Sequence, residues 1–106
     1  MIELTGTQKR FLRGLGQALP VTVRIGKAGL TVAVAAQIAD LLSRRELVKL
    51  GLPAGPAARR EALARQVAEA ARSALAELKG RTVLLYRPNE AIDAPRRIAL
   101  PEKGAP

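Results

Sequence analysis

Two glycines that flank a lysine are the chemically most promising feature of this chain. Residues Ile25–Thr31 have the sequence Ile-Gly-Lys-Ala-Gly-Leu-Thr, a GxxG pattern with Lys27 and Ala28 at its centre. Because glycine lacks Cβ, Gly26 and Gly29 let the backbone turn sharply and approach another backbone closely. Amides that open a following helix attract phosphate, and Lys27 adds a mobile cation beside them. The loop therefore predicts a site that can bind a sugar-phosphate chain.

The same loop could also be an ordinary strand-to-helix turn or a nucleotide-hydrolysing P-loop. An ordinary strand-to-helix turn uses glycines in the same way, and the loop alone leaves both possibilities open. A nucleotide-hydrolysing P-loop would need a glycine five positions before Gly26, where the chain has Val21. It would also need Ser or Thr in place of Ala28. We therefore expect no nucleotide hydrolysis at this loop.

A surplus of basic residues predicts a polyanionic partner. Lys and Arg number 18 against 9 acidic residues, which gives a net charge of +9. Nucleic acid is the first candidate, since the basic residues are spread along the chain instead of lining one face of a terminal helix, as membrane binding would require. The candidate phosphate contacts outside the loop are Lys9, Arg10, Arg13, Arg24, Arg44, Arg45 and Lys49.

For each of these seven cations, phosphate binding has to be compared with a purely structural or solvated role. The first three span about one helical turn without an acidic neighbour, so a phosphate track is favoured over a merely solvated surface. Arg24 alternates with apolar residues at the entrance to the loop, which predicts a position on the polar side of a sheet. Arg44, Arg45 and Lys49 are less distinctive, because Glu46 lies among them and a helix C-terminus attracts cations for its own dipole.

Missing residue types exclude most other functions. The chain contains no cysteine and no histidine, so disulfides, thiolate nucleophiles, imidazole bases and the usual zinc ligands are absent. Its acidic residues are scattered, and we predict no enzyme activity, no cofactor and no small-molecule substrate. No signal peptide or membrane span is evident, so we expect a cytoplasmic monomer. The only aromatic residues are Phe11 and Tyr86, which gives little support for a base-stacking platform; we expect Tyr86 to be structural.

The order of elements predicts a single α/β domain over residues 1–101, followed by a flexible tail over 102–106. Thr5 and Gln8 form a capping box at the first helix, and Thr31 is suited to cap the second. The predicted helices are 6–18, 32–43 and 57–78, the last ending at Gly80, and the predicted strands are 21–25, 46–52, 82–86 and 97–100. We expect a four-stranded mixed sheet with three helices, in the order helix, strand, helix, strand, helix, strand, strand, with the strand order left open.

Four blocks of sequence in this order resemble a known family. They are 8–15 (QKRFLRGL), Ile25–Thr31, 45–49 (RELVK) and 80–88 (GRTVLLYRP), and the ending 97–101 (RIALP) fits the same pattern. Together they resemble the CRM domain, the YhbY-like RNA-binding family, in its bacterial stand-alone form. The resemblance implies a fold similar to the C-terminal domain of translation initiation factor 3, with the GxxG loop on the RNA-binding surface.

The resemblance also implies a function. Bacterial members are associated with precursors of the large ribosomal subunit, and plant relatives assist intron splicing. The leading hypothesis is thus an RNA-binding protein that binds ribosomal RNA or large-subunit precursor particles. The alternatives are an RNA chaperone or splicing-type factor, or an adaptor whose basic surface binds an acidic protein. Residues 52–60 depart from the family pattern in their proline, glycine and alanine content, so their part in binding is left open.

Overall fold

Helices and strands alternate along the chain until a final hairpin. The computed structural model describes residues 3–101, and the predicted tail over 102–106 lies outside them. The elements are α1 (Gly6–Gly16), β1 (Val23–Arg24), α2 (Val32–Arg45), β2 (Leu47–Gly51), α3 (Ala57–Ala70), β3 (Ala74–Lys79) and β4 (Thr82–Tyr86), followed by a short 3₁₀ turn (Ala94–Arg96). The predicted α/β class, the mixed four-stranded sheet and the order of elements are confirmed.

The sheet has the strand order β1-β2-β4-β3. β1 and β2 are parallel and are connected by α2, whereas β4 is antiparallel to both β2 and β3. β3 is consequently parallel to β2, but β4 lies between them in the sheet. The helix α3 forms the crossover that connects β2 to β3. This topology places the loop after β1 at one edge of the sheet and β3 at the other.

Alternation along the strands divides the core between two faces of the sheet. Val48 and Leu50 of β2 pack with residues of α2 and α3 in the larger cluster. Leu47 points to the opposite face, where it packs with Leu12 of α1 and with Ile98 of the C-terminal segment. Both faces of the sheet are therefore covered, but α1 is the only α-helix of residues 3–101 on its side.

Side-chain caps define where the first two helices begin. Thr5 Oγ1 accepts a hydrogen bond of 3.1 Å from the Gln8 amide, and Gln8 Oε1 accepts one of 3.0 Å from the Thr5 amide. Thr31 Oγ1 accepts a hydrogen bond of 3.2 Å from the Val34 amide. The predicted capping box and the predicted N-cap are both confirmed, and the second cap fixes the end of the GxxG loop.

The third helix is shorter than predicted. It ends at Ala70, Arg72 adopts a left-handed φ of 52°, and residues 74–79 form β3 instead of further helical turns. Alanine and leucine suit a helix, but β4 is a buried strand whose free edge needs an antiparallel partner. Gly80, which we predicted to end the helix, has φ 61° in the two-residue turn between β3 and β4.

Other predicted boundaries also need correction. α1 ends at Gly16 instead of 18, α2 extends to Arg45, and β1 is limited to two residues. The predicted strand over 97–100 does not form: the Ile98 amide donates to the Glu46 carboxylate and the Arg97 amide to the Ala94 carbonyl, and neither pairs with a strand. On α1, Leu12 is buried, but Phe11 and Leu15 remain substantially exposed, so only part of the apolar face of this helix is covered.

Candidate nucleic-acid interface

The GxxG loop forms a tight turn that connects β1 with α2. The Gly29 amide donates a hydrogen bond of 2.9 Å to the Gly26 carbonyl, and Gly29 has φ 75°, a conformation that L-residues with side chains rarely adopt. Gly26, Lys27 and Ala28 are exposed at the tip. Thr31 then starts α2, so the turn stands directly before the positive end of the helix dipole.

Arg24 approaches the loop from β1. Val23 points into the core and Arg24 points to the other face of the sheet, as the alternation predicted. Its side chain passes over Gly51 in the neighbouring strand, where a Cβ atom would lie 3.1 Å from Arg24 Nη1. The absence of a side chain at Gly51 therefore lets the Arg24 side chain lie along the sheet.

Arg59 is a second cation beside the loop, and the sequence did not single it out. A cleft of about 280 Å³ separates the loop from α3, and its walls include Ala28, Gly29, Arg59 and Gln66. Arg59 is exposed in the first turn of α3, within the segment whose contribution was left open. Only the packing of α3 against the loop reveals this position, because 30 residues separate Arg59 from Gly29 in the chain.

Arg44, Arg45 and Lys49 gather at a different place. All three line a groove between the C-terminal end of α1, the beginning of β2 and the segment around Ile98. Arg44 forms an exposed salt bridge of 2.7 Å with Asp40, one turn earlier in α2. Among residues 3–101, Arg24, Lys27, Arg45, Lys49 and Arg59 form no salt bridge.

Lys9 of α1 is separated from the loop. Lys9 lines a shallow depression with Leu4, Ala74 and Leu75 beside β3. Since β3 and β1 are at opposite edges of the sheet, about three strand spacings, or roughly 14 Å, lie between them. Arg10 and Arg13 are exposed on the same helix. The phosphate track predicted for α1 stays a prediction, and Lys9 is not part of the cluster at the loop.

A protein-family model matches most of the chain. The model of the CRS1/YhbY (CRM) domain matches residues 4–87, which is most of the chain. The chain belongs to the CRS1/YhbY (CRM) domain family. The resemblance carried by the four sequence blocks is thereby confirmed.

Relatives of this CRM domain align with it over nearly their whole length. It is 31% identical over 103 residues to an RNA-binding protein of Haemophilus influenzae, which covers 97% of this chain and 100% of the relative. It is 34% identical over 95 residues to "Probable RNA-binding protein YqeI" of Bacillus subtilis, covering 87% of this chain and 99% of the relative. The solution structure of the hypothetical protein SAV1595 from Staphylococcus aureus matches with a TM-score of 0.80 and 34% identity, over 93% of this chain and 100% of that one.

A buried carboxylate anchors the C-terminal segment of the CRM domain. Glu46 has no exposed surface and a left-handed φ of 61°, and its Oε2 accepts a hydrogen bond of 2.6 Å from the Asn89 amide. Its Oε1 accepts one of 2.7 Å from the Ile98 amide, and Arg97 Nε lies 3.5 Å from Oε2. Local sequence does not distinguish Glu46 from a surface acid, because its partners are 43 and 52 residues further along the chain.

Tyr86 and Arg87 have structural positions. Tyr86 is buried in the α1-side cluster, as predicted, and burial raises the pKa of its hydroxyl, with a further increase from Glu46 and a partly opposing effect of Arg97. Arg87, which could have paired with Glu90, instead donates hydrogen bonds of 2.8 and 3.0 Å to the carbonyls of Ala71 and Ala39. Arg87 therefore connects the end of β4 to the C-cap of α3 and to the middle of α2 on the opposite face.

Residues 3–101 contain neither a candidate membrane-spanning helix nor a candidate metal site. No helix in this part of the chain has the length and apolar character needed to cross a membrane. The same residues contain no group of three or more acidic, cysteine or histidine side chains placed to hold a metal ion.

Proposed function

We propose that this protein is a non-enzymatic RNA-binding factor that binds the phosphate backbone of ribosomal RNA through the GxxG loop. The observation that carries the proposal is the grouping of Lys27, Arg24 and Arg59 around an exposed glycine turn at the start of α2. Cations and open backbone amides together are what phosphate recognition needs. RNA-binding names among the relatives support the choice of polyanion.

Recognition in this proposal depends on charge and RNA shape. The chain has no aromatic residue near the loop, since Phe11 is on α1 and Tyr86 is buried. Affinity then comes mainly from phosphates, and specificity comes from the form of a folded RNA and its 2′-hydroxyls. If about five cations each meet one phosphate, the logarithm of affinity should fall with the logarithm of salt concentration with a slope of about 4.

The assignment to large-subunit assembly rests on the family resemblance. A folded ribosomal RNA precursor offers the structured phosphate surface that the proposed mechanism requires. The adaptor alternative predicts an exposed apolar patch, and Phe11 and Leu15, one turn apart on α1, are candidates for one. An experiment that captures RNA and protein partners together separates these functions.

The test is crosslinking in cells followed by sequencing of the bound RNA and identification of bound proteins. Gly26→Asp is the informative variant, because a Cβ at Gly26 meets no atom within 4 Å and its φ is not left-handed. The fold should therefore survive while a negative charge enters the loop. We expect a discrete ribosomal RNA crosslink in the wild type and its loss in Gly26→Asp.

Gly6→Asp is the matched control. Gly6 is exposed at the first position of α1, where a Cβ also meets no atom within 4 Å. The substitution therefore adds the same negative charge far from the loop. Crosslinks should persist in this variant. Equal loss in both variants, or crosslinks unchanged in Gly26→Asp, would move the site away from the loop. Recovery of an acidic protein with no RNA would support the adaptor.

A further inference from the structure

A groove on the α1 side of the sheet combines an apolar floor with a cationic rim. Its volume is about 490 Å³, within the range of pockets that hold small ligands. The floor includes Leu15, Leu19 and Ile98, and the rim includes Arg45, Lys49 and Arg96. Among residues 3–101, no acidic residue contributes to its lining. The groove therefore suits a ligand with a flat apolar part and a negative charge beside it.

The groove is continuous with the cations at the loop. Thr22 and Lys49 line it, and the Thr22 amide donates a hydrogen bond of 3.0 Å to the Lys49 carbonyl. Thr22 and Arg24 are two positions apart in the chain, so on an extended segment they occupy the same face about 7 Å apart. A chain of phosphates bound at the loop can pass along Arg24 and reach the groove.

We propose that this groove binds one unpaired nucleotide of the RNA held at the GxxG loop. The base would lie on the leucine and isoleucine floor with the Arg96 guanidinium stacked on it, and its flanking phosphates would meet Arg45 and Lys49. Guanidinium planes can stack on unpaired bases where aromatic residues are missing. The inference rests on the proposed function and adds to it a preference for RNA with a bulged or looped-out nucleotide.

The charge and shape of the groove favour a nucleotide over an acidic peptide. An amphipathic helix needs a long apolar groove with contacts repeated every three or four residues. Here the groove has a volume of about 490 Å³, the size of a small-ligand pocket, and its lining includes Arg44, Arg45, Lys49 and Arg96. Leu15 is 41% exposed, which leaves the floor accessible from solvent. A single base fits this combination, and an acidic peptide is an outcome that the test distinguishes.

The test compares two RNA probes on the full-length protein. One is a short blunt RNA duplex, and the other is the same duplex with one unpaired adenosine at its centre. Affinity is measured by fluorescence anisotropy at a fixed salt concentration. We expect the affinity for the bulged duplex to be at least about 5-fold higher than the affinity for the blunt one, in line with the gain from stacking a single base.

Leu15→Glu should abolish this preference by placing a negative charge on the floor. Phe11→Glu is the matched control, because Phe11 is 38% exposed on the same helix and does not line the groove. Both variants add one negative charge to α1, so the ratio of the two affinities isolates the groove. Arg96→Ala, an exposed position, should reduce the ratio without altering the charge of α1. Circular dichroism confirms that each variant is folded.

Several outcomes would overturn the proposal. If the wild type binds both duplexes equally and Gly26→Asp weakens both, the loop function stands and the nucleotide pocket does not. If Phe11→Glu loses the preference as completely as Leu15→Glu, the groove is not its source. Binding of an amphipathic acidic peptide that only Leu15→Glu removes, with no preference for the bulge, would assign the groove to a protein partner. Failure to bind either duplex would reject the proposed RNA function itself.

Discussion

Arg24 occupies the space that a side chain at position 51 would fill. A Cβ on Gly51 would lie 3.1 Å from Arg24 Nη1 and 3.5 Å from Arg24 Cγ. The two residues are partners in the parallel ladder between β1 and β2, so the exposed Arg24 side chain lies over the neighbouring strand. This position keeps a cation between the GxxG loop and the groove, and it depends on the absence of a side chain at Gly51.

Gly51→Ala should weaken RNA binding with little effect on stability. The added methyl group displaces the exposed Arg24 side chain, and loss of one charged contact corresponds to about a 3-fold to 10-fold change in affinity. Alanine suits a strand at least as well as glycine, so the free energy of unfolding should change by less than about 1 kcal/mol. Anisotropy titrations and urea unfolding measure the two effects. A loss of stability without a change in affinity would contradict the role given to Arg24.

Arg59→Ala should weaken RNA binding and lower its dependence on salt. If Arg59 meets a phosphate beside the loop, its removal should reduce the slope of log affinity against log salt by about 0.7 to 0.9. Arg65→Ala is the matched control, because Arg65 is an exposed arginine on the same helix that does not line the cleft at the loop. Equal slopes for the two variants would exclude Arg59 from the site.

The sequence correctly predicted the features that depend on contacts between residues close together in the chain. Thr5, Gln8 and Thr31 act within four residues of themselves, so the capping box and the N-cap could be recognised without any tertiary knowledge. The strand Thr82–Tyr86 is buried on both faces and forms a continuous apolar run, which made its bounds correct. The glycine turn after β1 was also visible, because its geometry depends on residues within the loop.

Long-range contacts account for what the sequence did not show. Residues 74–79 contain helix formers, and only pairing with β4 makes them a strand. Arg59 reaches the loop because α3 packs beside it, and Glu46 is buried because the chain returns to it more than 40 residues later. The cations of α1 were grouped with the loop by charge alone, whereas the strand order separates Lys9 from it.

Glu46→Ala should be strongly destabilising. The buried carboxylate accepts hydrogen bonds from the Asn89 and Ile98 amides, and its removal leaves both of these half-buried donors without that partner. We expect a loss of about 2 to 4 kcal/mol in the free energy of unfolding. Asp40→Ala, which removes an exposed acid paired with Arg44, should cost less than about 1 kcal/mol.

The left-handed backbone of Glu46 supplies a second comparison. Glu46→Gly removes the same carboxylate but relieves the cost of a side chain at φ 61°. It should therefore be more stable than Glu46→Ala by about 1 kcal/mol. Urea unfolding of the three variants checks this order. Equal stability of the Gly and Ala variants would show that the backbone at this position relaxes when the carboxylate is lost.

Tyr86 should make the protein lose stability in alkaline solution. Burial raises the pKa of its hydroxyl above 10.0, and the nearby Glu46 carboxylate raises it further, while Arg97 partly opposes both. The folded protein then holds this proton more tightly than the unfolded chain does, so its contribution is complete below pH 10 and is lost as pH rises through the folded pKa. Tyr86→Phe isolates the contribution of the tyrosine. The free energy of unfolding should fall more steeply above pH 10 in the wild type than in Tyr86→Phe.

Because Tyr86 is the only tyrosine in the sequence, phenolate absorbance follows its titration directly. Parallel pH profiles for the two proteins would contradict the raised pKa.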